Sequence, residues 1–488
     1  MRNRILLVLL LVLCLPGLAA VPAAQAEPAG PAGSAGSAAA GTPSAGSDRG
    51  GDPYWPLDGN GGTDARHYDV RVAYDFASGR LTGRTAATMV ATADLKSFSL
   101  DLLLPVTAVT VDGRPARFRK PSKHELRIVP KRPIAQGSRF QVVVTYAGRP
   151  GAVGYAGERN WLADRREVVA MNQPHMAPWW FPSNDHPSDK ATFDIRVTAP
   201  RGKQVISNGR RVARKVSGAR ATTHWRMTDP MATYLAFFAA GDFVVEKGRS
   251  AAGIPFYNAV SKQLPAALRA QSVRMLRRTA GMTDWLQRRL GTYPFGSTGG
   301  LVTGLDVGFA LENQTRPTYG SWIYPSVMVH ELAHQWFGDS VAVRRWRDIW
   351  LNEGFASYLE VEYAAAHGGP SVASWLDDRW DATCDSTGSF WRLDISNPGA
   401  ARVFDDAVYD RGAMVIAALR NVIGPAQLTT LLRTWVRDHR GGNATVEQFE
   451  ALATQVHGAD LSGFFDAWLR GGQAPAATPA NGLTHACA

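Results

Sequence analysis

A chain of 488 residues with 45% hydrophobic and 10% aromatic residues is long enough for more than one domain and too apolar to be intrinsically disordered. Its formal net charge of +11 is spread over short, separate groups of Lys and Arg, so it lacks the long basic run typical of a nucleic-acid-binding arm. The composition therefore predicts a folded protein with a solvated basic surface and no nucleic-acid partner, and it leaves the oligomeric state unknown.

The first 26 residues have the organisation of a secretory signal peptide. Arg2 and Arg4 precede an apolar run over residues 5–15, and an Ala-Gln-Ala cleavage site ends at Ala26. This run is well below the ~18–20 residues needed to span a bilayer. We therefore predict removal of residues 1–26, a secreted or extracellular location and no stable membrane insertion.

The next two segments differ sharply in composition. Residues 27–52 are almost entirely Ala, Gly, Pro and Ser, which predicts a flexible linker. From residue 53 to residue 245 the pattern is strand-like: residues 67–74 alternate, residues 98–102 are apolar at every second position, and residues 140–146 are rich in β-branched and aromatic side chains. An N-terminal, mostly antiparallel β domain is expected here.

Helical patterns dominate residues 246–472 and predict a mainly α domain, which makes the fold class α+β. Several of these patterns end at a glycine, the residue most often found just past a helix C-terminus. The tail, residues 473–488, returns to Gly, Ala and Pro and is expected to be flexible. The predicted helices are 265–290, 326–337, 351–367, 410–422, 425–439 and 446–456.

One of these helices carries a His-Glu-x-x-His motif, in which His330 and His334 lie one turn apart on the same face. Two imidazoles spaced in this way can bind one ion at about 2.0–2.1 Å from each nitrogen. A catalytic zinc usually has three protein ligands and one open position, and Glu353, at the start of a second helix, can supply the third ligand. We therefore predict one Zn²⁺ per chain, held by His330, His334 and Glu353.

The motif, the eighteen residues that follow it and Glu353 resemble the signature of the M1 family of zinc aminopeptidases, which also includes leukotriene A4 hydrolase. Residues 335–338 and 352–356 are similar to the family's flanking segments, and the resemblance covers roughly residues 60–470. It implies that the helical region is a thermolysin-like zinc catalytic domain. It also implies that the large C-terminal helical region of many family members is absent.

The resemblance further implies the substrate contacts. Glu312 lies in a segment that matches the family's Gly-x-Met-Glu-Asn exopeptidase motif, and it is implied to bind the free α-amine of a peptide. Phe309, beside Ala310, replaces the family's glycine and so alters the depth or orientation of the substrate pocket. Gln173 stands where many aminopeptidases place a second amine-binding Glu. An amide supplies no charge, so its hold on the N-terminus should be weaker.

Two residues are implied to act on the reacting atoms. Tyr409 lies in a segment similar to the family's Tyr-Glu-Lys-Gly, where the hydroxyl donates to the oxyanion. Glu331 is expected to act as the general base towards a water molecule activated by zinc. Glu360, seven residues beyond Glu353, is either a solvated acid or a residue that orients a ligand histidine.

These observations predict a secreted zinc-dependent aminopeptidase that acts on peptides with a free N-terminus. A zinc endopeptidase, or a peptidase with weak N-terminal preference, is the alternative that Gln173 and the short C-terminal region favour. A non-enzymatic cell-wall-binding protein is disfavoured, because structural zinc is usually four-coordinate and bound by Cys-rich ligands. An oxidising compartment would permit Cys384 and Cys487 to pair, but the sequence does not show whether they do.

Overall fold

β-Strands make up most of the regular structure up to residue 261, and helices make up most of it from residue 266, which confirms the predicted α+β class. The computed structural model describes residues 43–386 and 388–487, so the predicted signal peptide and most of the predicted linker lie outside the described residues. None of the helices described here has both the length and the apolar character needed to cross a membrane. The first sixteen strands in chain order are β1 (Ser44–Ala45), β2 (Thr63–Asp75), β3 (Arg80–Ala91), β4 (Leu95–Asp101), β5 (Val106–Val111), β6 (Arg114–Pro115), β7 (Arg117–Arg119), β8 (Glu125–Val129), β9 (Arg139–Gly148), β10 (Trp161–Ala163), β11 (Val168–Ala170), β12 (Ala191–Pro200), β13 (Gln204–Ser207), β14 (Arg210–Ser217), β15 (Arg220–Met231) and β16 (Phe238–Gly241).

The largest sheet within the described ranges has eight strands, in the order β14-β15-β12-β2-β3-β9-β5-β6. Its neighbours are antiparallel, except that β12 runs parallel to β2. On β2 the side chains of Tyr68, Val70 and Val72 are buried, whereas the residues between them are more exposed. This is the period-two pattern from which the strand was predicted. Two four-stranded sheets, β1-β4-β8-β7 and β10-β11-β16-β13, complete the β region.

Residues 43–52 are packed against strand β4 and also contact the helical region, so the prediction of a flexible linker is wrong for this part of the chain. Strand β1 pairs with β4, and the N–H of Gly46 donates to the carbonyl of Ser97 at 2.8 Å. Asp52 is buried, and its Oδ2 accepts a 2.8 Å hydrogen bond from the backbone N–H of Trp346. A Cβ atom at position 46 would lie 2.8 Å from the carbonyl oxygen of Gly61. The small residues here therefore serve close backbone contact rather than flexibility.

The change from the β region to the helical region occurs slightly earlier than predicted. The predicted boundary at residue 245 falls inside a strand that belongs to the sheet of the second region. In that sheet the first two strands are antiparallel and the later pairs are parallel. Its strands are β17 (Phe243–Arg249), β18 (Pro255–Ser261), β19 (Thr298–Val302) and β20 (Thr318–Tyr319), and a separate short pair is formed by β21 (Ala342–Val343) and β22 (Asn443–Ala444).

The helices follow the predicted pattern with several differences. The predicted helix 265–290 is two helices, and the motif helix ends at Ala333 instead of continuing to residue 337. The predicted helix 410–422 begins earlier, at Asp406, and α5, α6 and α10 were not predicted. After Ala333 the chain tightens into turns that pass through Gly338, whose φ of 127° suits glycine. The helices are α1 (Ala266–Leu276), α2 (Thr279–Leu290), α3 (Pro325–Ala333), α4 (Trp350–Ala366), α5 (Val372–Thr383), α6 (Ser389–Arg392), α7 (Asp406–Ile423), α8 (Pro425–Asp438), α9 (Val446–His457) and α10 (Ser462–Phe465).

The tail is attached to the helical region, so the prediction that it is flexible is wrong for residues 473–487. Cys384 and Cys487 form a disulfide bond, which answers the question that the sequence left open. The side-chain amide of Asn421 on α7 donates to the carbonyl of Gly482 at 2.9 Å, and the side chain of Leu483 is buried. Composition alone could not reveal this, because the partners of the tail lie on helices far away in sequence.

Candidate active site

The three predicted metal ligands meet where the end of α3 packs against the first turn of α4. Nε2 of His330 lies 3.2 Å from Oε2 of Glu353, and Nε2 of His334 lies 3.3 Å from the same oxygen. All three side chains are buried. One donor atom from each residue therefore faces a common point.

The far nitrogen of each histidine is held by another group. Nδ1 of His330 donates to Oε1 of Glu360 at 2.8 Å, and Nδ1 of His334 donates to the carbonyl of Phe337 at 3.0 Å. These bonds leave both Nε2 atoms facing Glu353 as metal donors. Glu360 thus occupies the histidine-orienting position, which was one of its two predicted roles. Two imidazole nitrogens and one carboxylate oxygen, with a fourth position open, are a donor set that fits a catalytic zinc ion.

Glu331 lies beside the ligands but does not converge with them. Its Oε2 is buried and has no hydrogen-bond partner among the residues described. Burial raises the pKa of Glu331 to about 8, because the charged form loses hydration. A carboxyl group with a raised pKa is suited to taking up a proton during a reaction near neutral pH.

Tyr409 is positioned by a close crossing of α4 and α7. A Cβ atom on Gly354 would lie 2.9 Å from the backbone of Gly412, so only glycine allows the two helices to approach this closely. The crossing places the ring of Tyr409 near that of His330, with centroids 5.9 Å apart and planes inclined by 20°. Burial raises the pKa of Tyr409 well above its ordinary value, which keeps the hydroxyl protonated and able to donate.

Glu312 is buried and accepts two hydrogen bonds through Oε1. One comes from Nε2 of Gln173 at 3.0 Å, and the other comes from the hydroxyl of Tyr234 at 3.1 Å. The backbone carbonyl of Glu312 accepts a 3.1 Å bond from Gln335, which lies next to the ligand His334 on the motif segment. The segment that contains Glu312 is therefore hydrogen-bonded directly to the residue that follows the ligand His334.

Every residue predicted for the site lines one cavity of about 260 Å³. The sequence did not predict the contributions of Tyr324 and Val327 to this cavity or the contact of Tyr234 with Glu312. Tyr324 lies directly before the proline that begins α3, and Val327 lies one turn before Glu331, so their proximity to the motif was the available signal. The lining residues are Gln173, Phe309, Ala310, Glu312, Tyr324, Val327, His330, Glu331, His334, Glu353, Glu360 and Tyr409.

Comparison with known families agrees with this geometry. The Peptidase M1 N-terminal domain model matches residues 64–235, and the Peptidase family M1 domain model matches residues 298–468. Together the two matches cover most of the chain. The chain belongs to peptidase family M1. The predicted family is thereby confirmed, as is the arrangement of an N-terminal β-rich region before a helical catalytic region.

Family M1 relatives include plant and bacterial enzymes. The chain is 26% identical to "Aminopeptidase M1-D" of Oryza sativa subsp. japonica over 83% of this chain and 49% of the relative. It is 27% identical to "Aminopeptidase N" of Lactococcus lactis subsp. cremoris over 64% of this chain and 39% of the relative. The chain therefore spans about half, or less, of the length of these relatives.

Among solved structures, the M1 zinc metallopeptidase of Deinococcus radiodurans is similar along nearly its whole length. The TM-score is 0.74 at 26% identity, and the match covers 87% of this chain and 98% of that chain. A mutant of the same protein bound to a Tyr-Ser-Ala substrate gives a TM-score of 0.76. These family M1 neighbours and the donor set of His330, His334 and Glu353 confirm zinc as the predicted metal.

Proposed function

We propose that this family M1 protein is a zinc aminopeptidase that removes N-terminal residues from peptides. The observation that carries the proposal is the position of Glu312, whose carboxyl group lines the same 260 Å³ cavity as the three zinc donors. A peptide whose α-ammonium group contacts Glu312 would place its first peptide bond close to the metal. An ammonium group paired with a carboxylate in a largely buried cavity makes a charge-assisted hydrogen bond that blocked peptides lack.

The proposed mechanism assigns one task to each side chain. His330, His334 and Glu353 hold the zinc ion, which supplies Lewis-acid activation of water and of the scissile carbonyl. Glu331 takes the proton of the attacking water and returns it to the leaving amine. Tyr409 donates its hydroxyl proton in a hydrogen bond to the carbonyl oxygen as negative charge develops there.

Gln173 sets the strength of N-terminal recognition. Its Nε2 is already occupied by Glu312, so its Oε1 is the atom that can accept a hydrogen bond from the substrate ammonium group. That oxygen carries no full charge, so of Gln173 and Glu312 only Glu312 offers a negative charge to the substrate ammonium group. One charge holds the N-terminus less strongly than two would. The second candidate function is therefore a peptidase with weak N-terminal preference, including endopeptidase activity.

The decisive experiment compares aminoacyl amides and short peptides with free and N-acetylated termini. An aminopeptidase should cleave the free substrates at least 10-fold faster, and Glu312→Gln should lower kcat/KM for free substrates by about 10- to 100-fold, the loss expected for a hydrogen bond to a charged group. The control is Glu447→Gln, which removes an exposed carboxylate that contacts Arg347. Equal rates on free and acetylated peptides would reject the aminopeptidase and favour the second candidate.

We also propose that the protein is exported. The signal-like pattern of residues 1–26 supports this, and so does the Cys384–Cys487 disulfide, because such bonds persist in oxidising compartments. Expression with the native N-terminus in a secreting bacterium should yield protein in the medium whose first residue is Glu27. Retention in the cytoplasm with an intact N-terminus would contradict the proposal.

A further inference from the structure

A second group of metal-binding residue types lies in the β region, where the proposed peptidase chemistry does not use it. Asp101 is the last residue of β4, Glu125 is the first residue of β8, and His124 immediately precedes Glu125. These residues are 0%, 2% and 1% exposed, respectively, so water screens their charges poorly. One donor atom from each lies within 4.8 Å of the other two.

The strand register places the two carboxyl groups against each other. Asp101 and Glu125 are direct partners in the antiparallel pairing of β4 with β8. Like charges directly opposite each other destabilise a sheet, and the cost is larger in a buried position. A cation between the two carboxylates, or a proton on one of them, is needed to make this arrangement stable.

The distances favour a cation. Nδ1 of His124 lies 3.5 Å from Oδ1 of Asp101 and 3.6 Å from Oε1 of Glu125. A protonated imidazole bonded to a carboxylate would lie at about 2.7–2.9 Å, whereas donors about 2.0–2.1 Å from a tetrahedral ion lie roughly 3.4 Å from one another. At the zinc site, the corresponding donor separations from Glu353 are 3.2 and 3.3 Å.

Among the described residues, the polar side-chain atoms of His124 and Glu125 are left without hydrogen-bond partners. Within the part of the chain that the structure describes, neither ring nitrogen of His124 and neither carboxylate oxygen of Glu125 has a hydrogen-bond partner. Such buried, unpaired polar atoms are rare in folded proteins unless an ion or water satisfies them. Asp101, by contrast, is held in place: its Oδ2 accepts bonds from the backbone N–H groups of Gly59 and Asp185, and its Oδ1 accepts a 3.0 Å bond from the side-chain amide of Asn60. The second lone pair of Oδ1 remains available to a metal ion.

The plane of the His124 ring is also fixed. It stacks on the ring of Tyr155 with centroids 4.0 Å apart and planes inclined by 7°. The hydroxyl of Tyr155 donates to Asp58 at 2.8 Å, which anchors the stacking partner. A ligand histidine held in one orientation binds a metal with less loss of side-chain entropy.

We propose that Asp101, His124 and Glu125 bind a divalent first-row metal ion, either Zn²⁺ or Mn²⁺. One imidazole and two carboxylates suit these ions, whereas the absence of thiolates from the set disfavours softer ones. The ion joins β4 to β8 and neutralises their facing carboxylates. Its role is to stabilise the β region, and it takes no part in peptide hydrolysis.

The test measures metal content in the full chain after loading with Zn²⁺ or Mn²⁺ and gel filtration. Elemental analysis should find two equivalents in the wild type and one in the double variant His334→Gln/Glu353→Gln, which disables only the catalytic site. Glu125→Gln should also retain one equivalent. The control His457→Gln changes a histidine at the end of α9 whose Nδ1 contacts Gln427, far from both metal sites in the sequence, so it should retain two.

If Glu125→Gln fails to fold, the double variant still tests the site, because it retains Asp101, His124 and Glu125. Added Zn²⁺ or Mn²⁺ should raise its Tm by several degrees, and a crystal should show an anomalous difference peak between the three side chains. A double variant that retains no metal and whose Tm does not respond to either ion would overturn the proposal. The cluster would then be a proton-sharing group of ionisable residues.

Discussion

Glu360 accepts a 2.8 Å hydrogen bond from Nδ1 of His330, the histidine whose Nε2 faces Glu353 across the metal site. Glu353 and Glu360 are seven residues, or two helical turns, apart on α4. One face of this helix therefore supplies both the metal donor Glu353 and the carboxylate that orients the donor His330. The carboxylate fixes the tautomer of His330 and raises the basicity of its free nitrogen.

We therefore expect Glu360→Ala to weaken zinc binding by about 10- to 100-fold, as losses of histidine-orienting carboxylates do. Glu360→Gln keeps a hydrogen-bond acceptor but loses the charge, so its zinc affinity should lie between those of Glu360→Ala and the wild type. Zinc affinity would be measured by competition with a chelator of known affinity. The control is Glu362→Ala, on the same helix, whose carboxylate contacts Arg289 instead of a histidine. Equal zinc affinities of the Glu360→Ala and Glu362→Ala variants would argue against an orienting role.

Glu331→Gln should separate metal binding from turnover. Since Oε2 of Glu331 has no partner in the described part of the protein, replacing it with an amide breaks no hydrogen bond to that atom, and zinc content should stay at the wild-type level. Loss of the general base should lower kcat by about 10²- to 10⁴-fold. Elemental analysis and steady-state hydrolysis of aminoacyl amides on the same sample provide both measurements. Full activity in a zinc-loaded variant would remove Glu331 from the mechanism.

Tyr409→Phe should lower kcat by about 10²- to 10³-fold with little change in KM, because the hydroxyl is proposed to bind charge that develops only in the transition state. The phenylalanine ring keeps the packing against His330, so the zinc affinity should be unchanged. Tyr324→Phe is a matched control, since Tyr324 lines the same cavity but is 49% exposed. A rise in KM at constant kcat would instead indicate a role in substrate binding.

The catalytic motif could be predicted because its geometry is local. Helical spacing alone places His330 and His334 on one face, and the same periodicity suggested Glu360. The contact between Glu312 and Gln173 could be inferred only from the family resemblance, because 139 positions separate the two residues and local spacing gives no information at that distance. The bond from Tyr234 to Glu312 left no comparable signal, because a tyrosine in an apolar segment has the pattern of an ordinary core residue.

Composition was least informative where chain segments rich in small residues are ordered by distant partners. Residues 43–52 and the tail both resemble flexible peptides, yet Gly46 bonds to Ser97 and Gly482 accepts a bond from Asn421. Composition reports how much apolar area a segment can bury, but it does not report which backbone groups another element will satisfy. The buried pair of Asp101 and Glu125 was missed for the same reason, because strand register sets it.

The stability of the protein should fall in mildly alkaline solution because of His175. Burial by itself would lower the pKa of His175, but hydrogen bonds to Asp58 and Glu158 outweigh it and raise the pKa to about 10. In the unfolded chain the pKa is about 6.5, so the stabilisation is complete below that pH and is lost as pH rises towards 10. Its size is on the order of a few kcal/mol.

Urea unfolding at pH 6.5, 8 and 9.5 would measure this effect, with the wild type compared against His175→Gln. The difference in free energy of unfolding between the two proteins should shrink as the pH rises. Using the difference removes the contribution of other groups, such as Lys190, whose pKa is lowered to about 8 by burial. A difference that stays constant over this range would show that His175 is not charged in the folded protein.

The Cys384–Cys487 disulfide should hold the tail in place and stabilise the helical region. The bond joins residues 103 positions apart, and a disulfide that closes so long a loop contributes about 2–5 kcal/mol. The double variant Cys384→Ser/Cys487→Ser should therefore lose free energy of unfolding in that range, and its tail should become sensitive to limited proteolysis. Reduction of the wild type should reproduce both effects. Because no residue of 473–487 lines the active-site cavity, the catalytic rate should change little. If the tail stays protected after reduction, the buried side chain of Leu483 and the Asn421–Gly482 bond hold it without the disulfide.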